Sequence, residues 1–430
     1  MIQRVDPRVR RAALPAGRPS ASWLPMFLVA LALRVAYAWL ATGPGAQPFS
    51  DPAEYDTVAW NLTRGHGFAL DGASGPYPTA FVPPLLPWVT SLLYGAVGHR
   101  YFAAILLQCV FGALIPLALT GFGSAMYGGT TGRLAGWIAA LDPLLVFFSG
   151  YLLTESLFTL TLVLALLASA SWVKTPRAGR ALGTGLAWGI AALARPTALA
   201  LPAFVAAWAW GPLGLALVVG PWTVRNALVL RAFVPVTTGG GRALLDGNND
   251  AGWSDPELRG GAAGGAWQAL AAGELRGLAE PEVDARARAH AVTFLRAHAR
   301  EWPAMALAKL ARFWRLSAEG GGTGTWQRPG SALGPVLRVL DPLRLWSLAL
   351  FPLAAWGAWL LARAPRRWFQ SLSVWVVLYF TAIGVVFFGS LRMRLPAQPM
   401  IVLLGAAGLD DLRRRLRSRA RGLRVVEGKR

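Results

Sequence analysis

The chain has 430 residues, of which 55% are hydrophobic, 11% aromatic and only 15% charged. Soluble domains carry about 25% charged residues, so this composition excludes a disordered chain and an ordinary soluble enzyme and indicates a polytopic membrane protein. A single cysteine, Cys109, excludes a disulfide framework and a cysteine-rich metal site. The four histidines do not suggest a multi-histidine metal site.

The net charge of +21 is concentrated on one side of the topology derived below. Segments assigned to the cytoplasm hold 21 Lys and Arg against 4 Asp and Glu, whereas residues 229–341 hold 13 basic and 11 acidic residues. This is the positive-inside pattern, so the charge orients a membrane protein and does not indicate nucleic-acid binding. We expect the arginine-rich tail to contact anionic lipid headgroups.

Apolar runs in the first half of the chain predict a membrane core over residues 1–228, with a first external loop at 42–100. Run 23–41 leaves the cytoplasm after the arginines within residues 1–22. Run 84–98 is short, so it predicts a helix lying at the outer interface. Further spans are predicted at 101–125, 133–150, 154–172, 182–194, 197–210 and 212–229.

The second half begins with the one long hydrophilic segment, residues 229–341. We predict a small mixed α/β external domain there, with strand-like sequence near 233–255 and a helix over 281–300. The C-terminal membrane helices fall within 342–410, at 343–362, 369–388 and 395–409, and a basic cytoplasmic tail occupies 411–430. The predicted fold class is therefore an all-α polytopic membrane protein with about ten transmembrane helices plus interfacial helices.

Several acidic residues lie near the outer ends of the spans, where a charge inside the bilayer costs at least about 2.5 kcal/mol. Asp51 either caps a helix over 52–64 or takes a proton from a hydroxyl group. Glu54 is a second carboxylate of the same loop. Glu155 is either a plain interfacial charge or part of a polar site shared with the first loop. Asp142, which precedes a proline, has a capping or packing role.

Arginines and asparagines at the same outer level add to these carboxylates. Arginines there run against the positive-inside trend, and a guanidinium fork suits phosphate oxygens. Asparagines suit sugar hydroxyls, or simply turns. Together with a carboxylate at the membrane surface, they suggest a reaction on a lipid phosphate. The residues are Arg195, Arg225, Arg392 and Arg394, and Asn226, Asn248 and Asn249.

An ordered series of short motifs runs through the chain. It comprises Asp51-x3-Tyr55, Gly65-x-Gly67-Phe68, Pro78-Thr79-Ala80, Pro83-Pro84-x2-Pro87, Thr154-Glu155, Ala194-Arg195-Pro196, Pro221-Trp222-x2-Arg225-Asn226, Gly247-Asn248-Asn249 and Arg394-Leu395-Pro396. In this order the chain resembles bacterial members of the protein mannosyltransferase-like group, glycosyltransferase family 39. These are similar to the lipid A aminoarabinose transferase and share the GT-C membrane fold. The resemblance covers roughly residues 23–410.

The resemblance implies an inverting transfer of a sugar from a polyprenyl phosphate carrier on the external face. By position Asp51 matches the family's catalytic aspartate and Tyr55 matches a tyrosine four residues on. Glu155 matches an acidic residue at the outer end of the fourth span. Arg394 matches a basic group that would hold the carrier phosphate. A proline follows Asp51 where many relatives have a second acid, which leaves Glu54 as the second candidate.

The sequence thus predicts a hexosyl or pentosyl transferase of the inner membrane, with both termini cytoplasmic and the active site outside. We expect Asp51 to be the base, its pKa raised by apolar surroundings. No cofactor is required by this hypothesis, although a divalent cation stays open. The partners are membrane lipids, the polyprenyl-phosphate sugar and a glycan, lipid or protein acceptor. A polysaccharide ligase or polymerase and a lipid or solute transporter are the alternatives.

Overall fold

The computed structural model describes residues 23–201, 211–317, 341–363 and 371–427, with side chains up to residue 419. Some sequence predictions lie outside these residues. They are the arginines within residues 1–22, most of the span 197–210 and the side chains at the end of the basic tail.

Helices dominate the first half of the chain, and one antiparallel hairpin interrupts them after the second helix. A short 3-10 turn, Pro196–Leu199, follows the eighth helix. The elements are α1 (Trp23–Ala41), α2 (Asp51–Thr63), β1 (Ala69–Gly72), β2 (Gly75–Pro78), α3 (Leu85–Val97), α4 (Tyr101–Tyr127), α5 (Gly129–Leu141), α6 (Pro143–Phe148), α7 (Thr154–Lys174), α8 (Ala178–Ala194) and α9 (Gly211–Leu230).

The described second half is also helical. Short helices form the external segment, and longer ones return to the apolar part of the chain. The elements are α10 (Gly240–Asp246), α11 (Asp250–Ser254), α12 (Gly265–Ala272), α13 (Glu280–Ala297), α14 (Trp302–Phe313), α15 (Pro342–Ala362), α16 (Leu372–Val386), α17 (Leu391–Arg394) and α18 (Gln398–Glu427).

Within the described residues, 5 helices are long and apolar enough to cross a membrane, namely α1, α4, α7, α9 and α15. The sequence predicts about ten spans, and the difference has local causes. The predicted span 133–150 is divided into α5 and α6, and α16 is apolar but has only 15 residues. The all-α membrane class is confirmed, while the number of spans stays a prediction.

A proline break separates α5 from α6. Pro143 has no N–H, and the Asp142 carboxylate accepts hydrogen bonds from the Leu144 and Leu145 backbone N–H groups at 3.0 and 3.1 Å. The predicted capping role of Asp142 is therefore confirmed. On the other side of the break, the buried Arg34 guanidinium donates to the Ala140 carbonyl at 3.1 Å. Backbone groups at the C-terminal end of α5 and at the N-terminal end of α6 therefore find hydrogen-bond partners inside the protein.

Helix α7 is central to the fold. It packs against α4 and α8, and almost all of its first half is buried. Its residues are buried on every side over this stretch, polar ones included, which is typical of a helix surrounded by other helices. Glu155 lies in the first turn of α7, so the packing holds its carboxylate inside the protein.

The first external loop contains α2, the hairpin and α3. The hairpin pairs Ala69 with Pro78 and closes at Gly72–Gly75. The predicted interfacial helix is confirmed as a helix, α3. The expectation that Asp51 caps α2 is wrong, because α2 begins at Asp51 itself and Ser50 precedes it without a side-chain capping bond. The Asp51 carboxylate is therefore available for a partner elsewhere.

Between residues 229 and 317 the external segment consists of helices joined by irregular stretches, with no strand. The helix predicted over 281–300 is confirmed as α13, but the strands predicted near 233–255 are wrong. Residues 234–238 form neither helix nor strand, and side chains of α9 bind carbonyls of this segment. Trp222 Nε1 donates to the Val236 carbonyl at 2.7 Å, and Asn226 Nδ2 donates to that of Val234 at 3.0 Å. No neighbouring strand is needed, and the domain boundaries stay predictions.

Candidate active site

A cavity of about 1180 Å³ opens between the first external loop and the external helices. Polar side chains cluster on one part of its wall, and phenylalanines line another part. A cavity of this size holds a drug-sized ligand, so it is the natural candidate for a binding site. Its walls include the first turn of α2, residues 81–83, residues 195–197, the segment 237–246 and residues 387–393.

Four helices, α2, α7, α8 and α17, bring a chain of ion pairs to this wall. Arg392, on α17, donates through one Nη to the Asp51 carboxylate and through Nε to Glu155 Oε1. Arg195, at the end of α8, places Nη1 3.4 Å from the same Glu155 oxygen. Both carboxylates lie in the first turn of a helix, where the helix dipole favours negative charge. Two guanidinium groups thus converge on one buried carboxylate beside Asp51.

Burial differs across this group. The Glu155 side chain is 0% exposed, whereas Asp51 is 30% and Arg392 is 25% exposed. Burial by itself raises the pKa of Asp51, but the charges of Arg392, Arg242 and Arg195 outweigh it and lower the pKa below its ordinary value. The expected upward shift of this pKa is therefore wrong. Asp51 is ionised at neutral pH in this arrangement.

A second polar group adjoins the first. Arg242 Nη1 lies 3.7 Å from Glu54 Oε1, and Arg242 Nε lies 3.9 Å from Asp246 Oδ2. The Arg242 guanidinium also lies over the Phe81 and Trp267 rings, at 5.4 and 5.1 Å from their centroids. Burial, reinforced by the Asp51 charge, raises the pKa of Glu54 to about 7 and that of Asp246 to about 6.

Replacing Glu54 is expected to change how stability depends on pH. The raised pKa of about 7 means that the folded state holds a proton that the unfolded state loses near pH 4.5. Wild-type stability therefore falls as pH rises from about 4.5 to 7. We expect Glu54→Gln to remove the part of this fall that lies between about pH 6 and 7 and to stabilise the protein at pH 8 by up to about 3 kcal/mol. Melting curves between pH 4.5 and 8 measure the effect.

The matched control for this experiment is Glu282→Gln on α13, outside the cavity, which should keep the wild-type pH profile. Asp246 still titrates in the Glu54 variant, so a fall in stability that ends near pH 6 is expected to persist. Superimposable profiles of the wild type and Glu54→Gln would contradict the assignment.

Helix α2 is fixed in place by a clamp on its opposite side. Tyr94 donates to Asp56 Oδ1 at 2.5 Å, and His99 Nε2 lies 2.9 Å from Asp56 Oδ2. The Trp60 ring stacks on the His99 ring at 4.6 Å. Tyr55 is buried on the cavity side, and burial raises its pKa. The clamp therefore sets where α2 presents Asp51 and Tyr55 to the cavity.

Arg225 lies outside the cavity. It donates to the Thr79 carbonyl at 2.6 Å and to the Phe68 carbonyl at 3.0 Å, which ties the hairpin to α9. Its guanidinium also lies over the Trp222 ring at 4.9 Å. Asn226 donates to the Val234 carbonyl of the segment 234–238. Both residues support the first loop, and the structure does not bring them to the cavity wall.

The asparagine pair also lies outside the cavity. Asn248 donates to the Leu244 carbonyl at 2.7 Å and accepts from Lys309 Nζ at 2.7 Å. Asn249 caps α11, where its side chain accepts from the Gly252 N–H at 2.8 Å. These bonds are the turn and capping interactions that the sequence left open as the alternative to sugar binding.

Arg394 points away from the cavity. It is fully buried and donates to the Arg315 carbonyl at 2.6 Å, and its guanidinium lies 5.2 Å from the Phe351 ring centroid. Burial lowers the pKa of Arg394 to about 10. Its neighbour two residues back, Arg392, lines the cavity instead. The arginine placed beside Asp51 is thus Arg392.

Comparisons with known proteins bear on this arrangement. Residues 82–238 match the sequence model of a family described as dolichyl-phosphate-mannose-protein mannosyltransferase. No curated protein matches the chain. Among solved structures, it is similar to an archaeal oligosaccharyltransferase, AglB from Archaeoglobus fulgidus, in complex with an inhibitory peptide and a dolichol-phosphate. The TM-score is 0.51 at 15% identity, covering 94% of this chain and 51% of that one.

The apo form of the same archaeal enzyme gives a TM-score of 0.50 at 16% identity, covering 96% of this chain and 53% of that one. The chain has the GT-C fold. Apo ArnT from Cupriavidus metallidurans also matches, with a TM-score of 0.48 and 15% identity, covering 90% of this chain and 59% of that chain. This chain thus spans between half and three-fifths of the length of these proteins. The resemblance stated from the motifs is confirmed.

Sequence reasoning missed several charged residues of the cavity wall, among them Arg242 and Asp246. Arg242 is a basic residue of an external segment, which is the same signal that selected Arg195. It directly follows Gly239-Gly240-Gly241, whose turn-like composition gave no reason to expect an ion-pairing residue next to it. Asp246 becomes visible only once α10 places it one turn beyond Arg242.

Glu280, the first residue of α13, joins the external helices to the first loop. Its carboxylate accepts from the Thr79 hydroxyl and the Thr238 hydroxyl at 2.6 Å each, and from the Ala80 N–H at 2.9 Å. Residues on both sides of this junction, Phe81 and Thr237, line the cavity. Glu280 therefore holds two walls of the cavity together.

We expect Glu280→Gln to destabilise this junction, because three hydrogen bonds lose their charged acceptor. Such bonds contribute about 1.5–3 kcal/mol each when intact, so the melting temperature should fall and proteases should cut the first loop faster. Glu282→Gln is the control, since Glu282 accepts only an exposed capping bond from the Ala279 N–H at 3.2 Å. Equal melting temperatures for the two variants would contradict the assignment.

Among the described residues, no three or more His, Cys, Asp or Glu side chains lie close enough together to hold a metal ion. The expectation that no cofactor is required stays a prediction, and a divalent cation stays open.

Proposed function

We propose that the chain is an inverting glycosyltransferase that moves a sugar from a polyprenyl-phosphate-linked donor to an acceptor on the external face of the membrane. The observation that carries the proposal is the group formed by Arg392, Arg195 and the buried Glu155 beside Asp51, on the wall of a large cavity. It combines a pair of arginines, suited to an anion, with the Asp51 carboxylate at the cavity wall.

The arginines fit a phosphate. Arg392 and Arg195 lie side by side against Glu155, and Arg392 also binds Asp51, so two guanidinium groups meet at one position on the cavity wall. A phosphate oxygen accepts bidentate, charge-assisted hydrogen bonds from such a fork. The similar archaeal enzyme was solved with dolichol-phosphate, a lipid of this class. The cavity wall also carries Phe147, Phe148, Phe387 and Phe388, which suit the first isoprene units.

The chemical step requires few groups. The acceptor oxygen or nitrogen attacks the anomeric carbon, and the bond from that carbon to the phosphate oxygen breaks. The phosphate leaves with the electron pair, and Arg392 and Arg195 stabilise its charge. Asp51 takes the proton from the acceptor. A phosphate neutralised in this way needs no general acid.

Donor binding also adjusts the base. Arg392 is bound to Asp51 in the structure, and this contact keeps the Asp51 pKa low. A phosphate that draws Arg392 toward itself removes the counter-ion of Asp51. The Asp51 pKa then rises toward its ordinary value, because burial acts without the compensating charge. The base becomes stronger once the donor is in place.

The topology of the proposal follows the charge pattern of the sequence. The positive-inside bias supports cytoplasmic termini, an inner-membrane location and an external active site. The transferred unit is a hexose or a pentose, and the acceptor is a hydroxyl or an amine. Membrane lipids surround the spanning helices, and no nucleic acid takes part.

The proposal is tested with the purified full chain in nanodiscs. A panel of undecaprenyl-phosphate hexoses and pentoses is supplied with membrane extract as the acceptor source, and protein-free nanodiscs are the control. Release of undecaprenyl phosphate from one donor, with transfer of one sugar per acceptor, is the expected result. Long product chains indicate a polymerase, and no release from any donor contradicts the proposal.

A further inference from the structure

The second polar group of the cavity has hydrogen-bonding capacity that the described residues do not use. Arg242 lies 3.7 Å from Glu54 and 3.9 Å from Asp246, and both distances exceed a normal hydrogen bond. Asp246 Oδ1 is a buried oxygen with no hydrogen-bond partner among the described residues. A buried acceptor without a donor costs free energy, so a ligand that supplies O–H groups is favoured here.

The group is also rigid. Arg242 lies over two aromatic rings, Phe81 of the first loop and Trp267 of α12, which fix the plane of its guanidinium. The adjacent wall is formed by glycines, and a Cβ at Gly240 would meet no atom within 4 Å. Fixed donors and acceptors beside an open wall leave room for a ring to approach the backbone.

The charges at this position argue against a second anion. Two carboxyl groups face the single guanidinium of Arg242, whereas Arg392 and Arg195 together face Asp51 and Glu155, one arginine for each carboxylate. Carboxylates accept from hydroxyls and a guanidinium donates to hydroxyl and ring oxygens. Neighbouring hydroxyls on a sugar ring match such a mixed set, which a lipid phosphate does not.

The position of Glu54, Arg242 and Asp246 relative to Asp51 indicates what this group binds. Glu54 follows Asp51 by three residues on α2, so the two carboxylates lie on the same face of that helix. A ring held by this group lies beside the base, while the donor phosphate occupies Arg392 and Arg195, which bind Asp51 and Glu155. We infer that Glu54, Arg242 and Asp246 form the acceptor subsite and that the acceptor is a carbohydrate hydroxyl.

The inference rests on the proposed transfer reaction but is tested without a donor. The full chain in nanodiscs is titrated with methyl glycosides of glucose, galactose, mannose, arabinose and N-acetylglucosamine, with binding followed by saturation-transfer NMR. Undecaprenyl phosphate affinity is measured in parallel. Asp246→Asn is expected to weaken glycoside binding about tenfold or more, with less than about twofold change for undecaprenyl phosphate.

Asp250→Asn is the matched control, because Asp250 lies four residues further on with a side chain that is 81% exposed. It should bind like the wild type. Glu54→Gln provides a second variant and is expected to weaken the same glycoside. The inference is overturned if no glycoside binds the wild type, or if Asp246→Asn and Asp250→Asn bind alike. Failure of undecaprenyl phosphate to bind counts against the transfer reaction, whereas glycoside binding lost in Asp246→Asn still supports the subsite.

Discussion

Asp51→Asn is expected to abolish sugar transfer while it strengthens the binding of lipid phosphate. A positioned general base contributes about 10²–10⁴-fold to a rate, so turnover should fall by this factor. An asparagine amide binds Arg392 less strongly than the Asp51 carboxylate does. Of the two carboxylates that contact Arg392 in the wild type, only Glu155 then keeps its negative charge. Undecaprenyl phosphate therefore meets a less occupied guanidinium and should bind several times more tightly.

The two effects are measured separately. Turnover is followed as undecaprenyl phosphate release, and affinity is followed by titration of undecaprenyl phosphate into nanodiscs. Asp71→Asn is the control, since Asp71 belongs to the same loop but accepts from Asn61 at 2.8 Å, away from the cavity. Wild-type turnover in Asp51→Asn would exclude Asp51 as the base, and weaker lipid binding would exclude competition for Arg392.

Arg392→Ala is expected to lower both the affinity for lipid phosphate and the stability of the fold. Loss of charge-assisted hydrogen bonds to an anion costs about 1.5–3 kcal/mol, which corresponds to roughly 10- to 100-fold in affinity. The variant also leaves the buried Glu155 with the more distant Arg195, and an uncompensated buried charge costs about 3–5 kcal/mol. Arg392→Lys keeps the charge and should fold better while losing the bidentate geometry.

Arg394→Ala is the matched comparison. Arg394 is buried two residues away, donates to the Arg315 carbonyl and does not line the cavity. It should destabilise the protein and leave the affinity of the folded fraction unchanged. If Arg394→Ala loses affinity for lipid phosphate while Arg392→Lys keeps it, Arg392 is not the phosphate-binding arginine. The role would then belong to Arg394, as the family resemblance implies.

Much of the fold could be predicted from the sequence because the bilayer constrains which residues a membrane helix and its flanking loops contain. Apolar runs and one-sided arginines mark the helices, and α1, α4, α7, α9 and α15 appear close to the predicted bounds. The external segment was harder. Val234 and Val236 favour a strand by composition, but α9 side chains take their carbonyls, and no local pattern records that contact.

The site divides in the same way. Asp51, Glu155, Arg195 and Arg392 could be selected because charge at the outer membrane level requires a reason, and the structure brings these four residues together. The choice between Arg392 and Arg394 depends on which way a four-residue helix turns its side chains. The pKa of Asp51 depends on arginines distant in sequence, so reasoning from its apolar neighbours gave the wrong direction.

The asparagines show a further limit. Asn226, Asn248 and Asn249 have the chemistry to bind sugars, but each is occupied by backbone groups of its own surroundings. Composition and position do not distinguish an amide that faces a ligand from one that closes a turn. Only the packing of α9, α10 and α11 resolves these cases.

A cryo-electron-microscopy structure of the wild-type chain in nanodiscs with undecaprenyl phosphate tests the central claim most directly. We predict that the phosphate lies within hydrogen-bonding distance of Arg392 and Arg195, that Arg392 has left Asp51, and that the first isoprene units lie against the cavity phenylalanines. A phosphate held elsewhere, with the Arg392–Asp51 pair intact, would contradict the account.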